Sequence, residues 1–134
     1  MPSTTIPEKF LPLLSDKKVL ANLGTVMADG SPQVTPVWFL YRDGKFIVNS
    51  ARGRVKDRNM RRTPHVAISI TDPDNIYRHL SLRGKVVRVT EEGADEMIDA
   101  LAKKYTGADR YAGRRPGEVR VTYEIEPVSV ATMG

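Results

Sequence analysis

The chain has 134 residues, of which 40% are hydrophobic and 28% charged, a composition that excludes a disordered or fibrous protein and predicts one globular domain over residues 1–134. It contains no cysteine, which excludes disulfides, thiolate metal sites and cysteine nucleophiles. The formal net charge of +5 favours an anionic partner: a phosphorylated cofactor, an acidic substrate or a nucleic acid. Residues 1–5 do not resemble a leader, and no stretch reaches the roughly 18 apolar residues of a membrane span, so a cytoplasmic protein without membrane contact is expected.

The elements predicted in chain order begin with an amphipathic helix over residues 6–18. Six strands follow, recognised as runs of β-branched and aromatic residues between turn signals. They cover residues 19–27, 33–41, 45–49, 65–71, 76–90 and 118–132. The Asp-Gly pairs at 29–30 and 43–44 are hairpin turn signals, so the first three strands are expected to form a meander. A bend is expected at Gly84 and an interruption at Pro127.

Two more helices are predicted, one in the basic segment after the third strand and one over residues 91–105. This order predicts a mainly β protein with flanking α-helices, an antiparallel six-stranded barrel of Greek-key type with short helices at its edges. Side chains fill the interior of so small a barrel. A flat cofactor would therefore lie on its outside or between two subunits.

The basic segment, residues 50–62, is the strongest candidate for a binding site. It contains six basic side chains within eleven residues, directly after the third strand. Backbone N–H groups at the start of a helix bind phosphate, and arginine and lysine neutralise its charge. The alternative interpretation is a solvated basic face of a helix.

Catalytic motifs are otherwise scarce. His65 and His79 are the only histidines and lie on separate predicted strands without metal-ligand spacing, so no metal site is expected. No serine lies in a nucleophile elbow, and no glycine-rich phosphate loop is present. The catalytic residues are therefore unknown. If the protein is an enzyme, a bound cofactor is expected to supply the chemistry.

Two other segments are candidates to complete a cofactor site. Gln33 and Thr35 share a face of the second strand, which is predicted to pair with the strand before the basic segment, and the Gln33 amide is able to hydrogen-bond a ring edge. Trp38 is expected either to stack on a ligand or, as the favoured alternative, to pack in the core. Arg78, beside Tyr77, either reaches a neighbouring subunit or lies exposed.

Several motifs of this chain occur together in one family. They are Asp-Gly-x-Pro-x-Val-x-Pro-Val-Trp at 29–38, Gly-Arg-Val-Lys-x-Arg-Asn-x-Arg-Arg at 53–62 and Asp-Pro-Asp-Asn-x-Tyr-Arg at 72–78, with Arg-Gly-Lys-Val at 83–86, Lys-Lys-Tyr-x-Gly at 103–107 and Arg-Pro-Gly-Glu at 115–118. Together they resemble the flavin/deazaflavin oxidoreductases of the pyridoxamine-phosphate-oxidase-like class. More narrowly, they are similar to the branch that uses the deazaflavin coenzyme F420. The resemblance covers nearly the whole chain.

The resemblance implies a split β-barrel, related to FMN-binding proteins, that forms a homodimer with two cofactor sites at the subunit interface. It implies hydride transfer from C5 of reduced coenzyme F420 to an unsaturated small-molecule substrate, such as an activated C=C bond. By motif match, the phosphate lies at Arg54 and Lys56 with Ser50 and Asn59 nearby, the deazaflavin ring lies against Gln33 and Pro36, and the second subunit contributes Ile76, Tyr77 and Arg78.

Two alternatives stay open. The first is an FMN-binding oxidase or reductase of the same fold, because Arg54 and Lys56 suit either phosphorylated ligand. The surplus positive charge of Arg52, Arg58, Arg61 and Arg62 favours coenzyme F420, whose tail carries additional carboxylates. The second is a non-catalytic cofactor carrier or nucleic-acid-binding protein. Aromatic residues make up only 7% of the chain and none interrupts the basic segment, so no nucleic-acid partner is expected.

Overall fold

The computed structural model describes residues 4–134. The expectation that residues 1–5 are not a leader falls partly outside this range. The strands are β1 (Ala21–Val26), β2 (Pro32–Val37), β3 (Leu40–Arg42), β4 (Lys45–Ala51), β5 (His65–Thr71), β6 (His79–Thr90) and β7 (Arg120–Met133). A 3₁₀ turn (Glu8–Phe10) leads into α1 (Leu11–Ser15), and the longer helices are α2 (Val55–Arg62) and α3 (Ala94–Thr106).

All strands belong to one antiparallel sheet in the order β2-β1-β5-β6-β7-β4-β3. The sheet curls into a half-barrel around a hydrophobic core to which every strand except the two edge strands, β2 and β3, contributes buried side chains. The predicted mainly β, antiparallel split-barrel fold is thereby confirmed. The number of strands is seven within residues 4–134, instead of the six that were predicted.

The difference in strand number arises in residues 33–41, which were predicted to form one strand. They form β2 and β3, which lie at opposite edges of the sheet, so the predicted meander is wrong. Phe39, between the two strands, is fully buried, and its backbone bonds to α3 instead of to a strand. Its N–H donates to Tyr105 Oη at 3.2 Å and its carbonyl accepts from Lys104 Nζ at 2.8 Å. Helix α3 thus satisfies the backbone where the chain crosses between the sheet edges.

The long hairpin of β6 and β7 contains the predicted bend at Gly84. Arg83 pairs with Ser129 but Gly84 pairs with Pro127, so Val128 is an extra, bulged residue. A Cβ at Gly84 would lie 2.7 Å from Ile125 Cγ2, which explains why this position requires glycine. Proline has no backbone N–H to donate, and Pro127 lies at this bulge, where the regular pairing of the two strands is interrupted in any case. Strand β7 therefore continues through Pro127, and the predicted interruption there is wrong.

The helices differ from prediction mainly in their ends. The first covers less than residues 6–18, although its buried face of Phe10, Leu13 and Leu14 is as predicted. The helix predicted over residues 91–105 is confirmed as α3, with acidic residues in its first turn and lysines in its last. Strand β6 begins at His79 instead of residue 76, because the preceding residues form a turn. Within residues 4–134, no helix combines the length and apolar composition that crossing a membrane requires.

Candidate functional site

The turn between β4 and α2 is held by a buried carboxylate. Asp57, in the first turn of α2, is 2% exposed and accepts hydrogen bonds from Gly53 N at 2.9 Å, Tyr123 Oη at 2.5 Å and Arg61 Nε at 2.9 Å. Burial alone would raise the pKa of Asp57, but these donors outweigh it and lower the pKa. Gly53 adopts a φ of 88°, which favours glycine. The carboxylate and the glycine together fix the path of the basic segment.

A cleft of about 230 Å³ opens beside this turn, and we call it the β4–α2 cleft. Its walls come from the ends of β2 and β4, the starts of α2 and β7, helix α3 and the loop after α3. The lining residues are Pro36, Val37, Trp38, Asn49, Ser50, Arg54, Lys56, Ile98, Leu101, Tyr111 and Arg120. The lining combines apolar and aromatic side chains with three cations, and the Arg120 guanidinium lies over the Tyr111 ring, 5.3 Å from its centroid.

The cations differ in burial and in their partners. Lys56 is half-buried and donates to Thr35 Oγ1 at 3.1 Å, and its pKa is lowered first by burial and then by the charge of Arg54. Arg120 is 5% exposed and donates to Asn49 Oδ1 at 2.9 Å and, through Nη1, to a glutamate carboxylate. Cations that are partly withdrawn from water bind an anion more strongly than freely solvated ones do.

Ser50 supplies a donor that the chain itself does not use. It is 3% exposed, and its Oγ is the buried side-chain polar atom that has no hydrogen-bond partner in the described part of the chain. A buried hydroxyl without a partner is costly, and Ser50 lines the same cleft as the three cations, so its hydroxyl is a candidate donor to an anionic ligand. The donor set of the cleft therefore fits a phosphate group.

The aromatic wall is built around Trp38. Its ring stacks on Tyr105 with centroids 5.3 Å apart and an interplanar angle of 5°, and it meets the edge of Tyr111 at 6.0 Å. Trp38 is half-buried: it packs on Tyr105 of α3, as the favoured interpretation predicted, and it also lines the cleft. The ring is therefore able to pack within the chain and to contact a ligand at the same time. A planar ligand would meet a surface whose position is fixed by this stacking.

The structure brings four of the nine predicted cofactor residues together. Pro36, Ser50, Arg54 and Lys56 all line the β4–α2 cleft. Both cations were expected to be exposed without a ligand; Arg54 is exposed and forms an ion pair with Glu118 at 3.0 Å, but Lys56 is half-buried, so the expectation is wrong for Lys56. The predicted phosphate site is thus already hydrogen-bonded within the chain.

Gln33 and Asn59 lie beside the cleft without lining it. Asn59 is 2% exposed and donates to Thr25 Oγ1 at 3.0 Å, and the same hydroxyl is 3.4 Å from Gln33 Oε1. Asn59 therefore joins α2 to β1 within one protomer. The predicted pairing of the Gln33 strand with the strand before the basic segment is wrong, because β2 pairs with β1 and β4 pairs with β3 and β7.

The three residues expected from a second subunit are Ile76, Tyr77 and Arg78. They lie in the turn before β6 and do not line this cleft. Ile76 and Tyr77 are 69% and 75% exposed. Arg78 is bound within its own chain, to Asp72 and to the Lys9 carbonyl.

The surplus positive charge of the basic segment is smaller than the sequence suggested. Arg52 forms an ion pair with Glu91, and Arg61 pairs with the buried Asp57. Arg62 donates to Asn59 Oδ1 at 3.3 Å. Within residues 4–134, Arg58 is the one arginine of this group whose side chain forms neither a hydrogen bond nor an ion pair. Tertiary contacts thus neutralise charges that lie adjacent in sequence.

Sequence reasoning missed the contribution of β7 and of the preceding loop. Arg120, Asn49, Tyr111 and Glu118 surround the cleft, yet none belongs to the basic segment. The available signal was an arginine between two valines at the start of a predicted strand. A charged residue within an apolar strand is seldom buried without a specific partner.

The curled antiparallel sheet defines a split β-barrel, and a cationic cleft lies at the end of one of its strands. The chain belongs to the pyridoxamine 5'-phosphate oxidase family, whose family model matches residues 6–134, and the resemblance found in the motifs is thereby confirmed. None of the curated protein sequences matches the chain.

Solved structures extend this comparison. An "F420 Reductase" is 30% identical with a TM-score of 0.81, over 94% of this chain and 98% of that one. A conserved hypothetical protein of Mycobacterium tuberculosis is 22% identical with a TM-score of 0.76, over 96% and 85% of the two chains. General Stress Protein 26 of Bacillus anthracis is 15% identical with a TM-score of 0.67, over 93% and 92%. The last two show similarity of fold alone.

Proposed function

We propose that this protein is an oxidoreductase that transfers a hydride from reduced coenzyme F420 to an unsaturated small-molecule substrate. The observation that carries the proposal is the unpartnered Ser50 hydroxyl beside Arg54, Lys56 and Arg120 in the β4–α2 cleft. The 30% identity to an F420 Reductase supports the choice of coenzyme.

In this proposal the cations of the cleft hold the coenzyme phosphate, and Ser50 Oγ donates to one of its oxygens. The rigid surface of Trp38 and Pro36 orients the ring system. When bound, the reduced deazaflavin supplies the hydride, and the chain contributes orientation and electrostatics. The accompanying proton comes from water or from a side chain that we do not assign.

A second groove favours coenzyme F420 over FMN, the alternative cofactor. It adjoins the β4–α2 cleft at Arg54 and is also lined by Arg52, Arg115 and Gly117. Arg115 and Arg54 are exposed there. The additional carboxylates of the F420 tail would lie near these guanidinium groups, whereas FMN has no group that extends beyond its phosphate.

The test is a titration of the protein with coenzyme F420 and, separately, with FMN, followed by ligand fluorescence at two salt concentrations. Tight, selective binding of coenzyme F420 supports the proposal and justifies a screen of reducible substrates. Preference for FMN would make the protein an FMN-dependent oxidase or reductase. Binding of neither, together with steeply salt-dependent binding of nucleic acid, would overturn the proposal.

Ser50→Ala gives an independent prediction for the site. We expect the variant to bind coenzyme about 1.5–3 kcal/mol more weakly, because one hydrogen bond to a charged phosphate is lost. The free energy of unfolding without coenzyme should not fall, since Ser50 Oγ has no partner to lose. Fluorescence titration and urea unfolding measure the two effects. Equal coenzyme affinity in both proteins would exclude the hydroxyl from the site.

We further propose that the protein is a homodimer that uses the outer face of the sheet. Val34 and Val128 are 65% and 45% exposed there, beside the small residues Gly24 and Ala67. A broad apolar sheet face with small residues suits close packing of a second copy. The exposed loop at residues 76–78 would then be available to the partner's cofactor site.

Val34→Glu should therefore convert the dimer into monomers, because two carboxylates would be buried in a symmetric interface. Sedimentation velocity measures this change. Val87→Glu is the matched control, since Val87 is also exposed, at 44%, but lies outside the small-residue face. Dimers that persist in Val34→Glu would place the interface elsewhere.

A further inference from the structure

The loop between α3 and β7, residues 107–119, is attached to α3 by acidic side chains of the helix. Asp99 Oδ1 accepts from the backbone N–H of Tyr111 at 2.8 Å and from Arg114 Nη2 at 2.7 Å. Asp95, one helical turn earlier, accepts from Arg114 Nη1 through Oδ1 at 2.9 Å. A loop of this length without secondary structure of its own is ordinarily mobile, so these bonds restrict its position.

Tyr111 connects this attachment to the β4–α2 cleft. It lines the cleft, and its ring packs edge to face with Trp38, with centroids 6.0 Å apart, and lies 5.3 Å from the Arg120 guanidinium. Trp38 and Arg120 line the cleft as well. A Cβ at Gly113 would lie 2.5 Å from Tyr111 Oη, so the loop passes close to the end of the ring. The position of Tyr111 therefore determines part of the surface that a ligand would contact.

Asp99 is a strong acceptor for the Tyr111 N–H. This N–H and, after it, Arg114 lower the pKa of Asp99 although partial burial opposes them, so the carboxylate is charged at neutral pH. An ionised carboxylate binds a backbone N–H more strongly than a neutral oxygen does. Without Asp99 the loop would keep its bond from Arg114 to Asp95 and the ion pair of Lys103 with Asp109. The loss would thus fall on Tyr111 and not on the whole loop.

We propose that Asp99 is a positioning residue that holds Tyr111 against the β4–α2 cleft and so slows the release of a bound coenzyme. This inference rests on the proposed function, because it takes the coenzyme as the ligand of the cleft. Asp99 does not itself line the cleft and acts through Tyr111. The cations attract the coenzyme as it approaches, whereas contacts with a fixed wall act after binding, on the rate of dissociation.

The experiment compares Asp99→Ala with the unmodified protein, and Asp95→Ala is the matched control. Each variant removes one carboxylate from the same face of α3 and one partner of Arg114, but Asp99→Ala also removes the acceptor of the Tyr111 N–H. We expect the rate constant for dissociation of coenzyme F420, measured by stopped-flow fluorescence, to rise about tenfold in Asp99→Ala and by less than about twofold in Asp95→Ala. Asp99→Asn keeps an oxygen acceptor and should restore most of the slow release.

Two further measurements separate positioning from a general loss of structure. Trp38 is the only tryptophan of the chain, so its emission reports on the contact with Tyr111 in the coenzyme-free protein. The emission should shift to longer wavelength in Asp99→Ala, because more of the ring meets water, and should stay unchanged in Asp95→Ala. In a Tyr111→Ala background, Asp99→Ala should have no additional effect on the dissociation rate. Urea unfolding checks that each variant is folded.

The inference requires faster release and shifted emission in Asp99→Ala, and neither change in Asp95→Ala. Any other combination, or an effect of Asp99→Ala that persists in the Tyr111→Ala background, would overturn it while the proposed function stands. If the unmodified protein binds neither coenzyme F420 nor FMN, the proposed function fails and this inference fails with it.

Discussion

Lys56→Ala should weaken the binding of coenzyme F420 by about 1.5–3 kcal/mol, the range for a hydrogen bond to a charged group. Its ammonium group is half-buried in the β4–α2 cleft and is positioned by Thr35 Oγ1 at 3.1 Å. Burial, and secondly the charge of the nearby Arg54, lower its pKa, as expected for a cation that is partly withdrawn from water. An anionic phosphate would relieve this unfavourable environment.

The effect should be specific to the cleft. Arg58→Ala, two residues further along α2, removes the same charge from an exposed position and should change the affinity by less than about 0.5 kcal/mol. Arg54→Ala should fall within the Lys56 range, toward its lower end because Arg54 is more exposed than Lys56 and shares its guanidinium with Glu118. Fluorescence titration of the three variants measures this. Equal losses of affinity in Arg58→Ala and Lys56→Ala would indicate a diffuse electrostatic surface instead of a specific binding site.

Asp57→Asn should lower the free energy of unfolding by about 3 kcal/mol. The carboxylate accepts from three donors, and an amide in its place would direct its own N–H groups at one of them. Because Gly53 would lose its anchor, the turn before α2 should shift and coenzyme affinity should fall as well. Urea unfolding and coenzyme titration measure the two losses.

The stability difference between the unmodified protein and Asp57→Asn should depend on pH in one direction. The pKa of Asp57 is lower in the folded protein than its unfolded value of about 4. Its contribution to stability is therefore fully present above that value and is lost as the pH falls through the folded pKa. We expect a constant difference between pH 5 and 8 that shrinks below pH 4. A difference that stays constant down to pH 2 would contradict this account.

Tyr123→Phe measures how much the tyrosine hydroxyl contributes to stability, apart from the other two donors to Asp57. It removes only the hydroxyl, and Asp57 keeps its bonds to Gly53 and Arg61. Its effect on stability should therefore be smaller than that of Asp57→Asn, and the position of the turn should be retained. An equal loss in the two variants would mean that the Tyr123 hydroxyl alone carries the stabilisation.

Local sequence patterns determined a large part of this protein. The alternation in residues 65–71 and the helical periodicity in residues 91–105 each report which face of one element is buried, and both elements form as expected. The basic segment likewise indicated an anion site, because strand, glycine and helix start are adjacent in sequence. Its cations Arg54 and Lys56 do line the cleft.

The tertiary structure alone decided what depends on contacts between distant residues. The chain divides after Val37 because α3, more than sixty residues later, satisfies the backbone of Phe39. Arg52 and Arg61 both pair with Glu91, which follows β6, while Arg120 enters the cleft from the last strand. Periodicity describes one element at a time. It carries no information about which charges and carbonyls the closing of a half-barrel brings together.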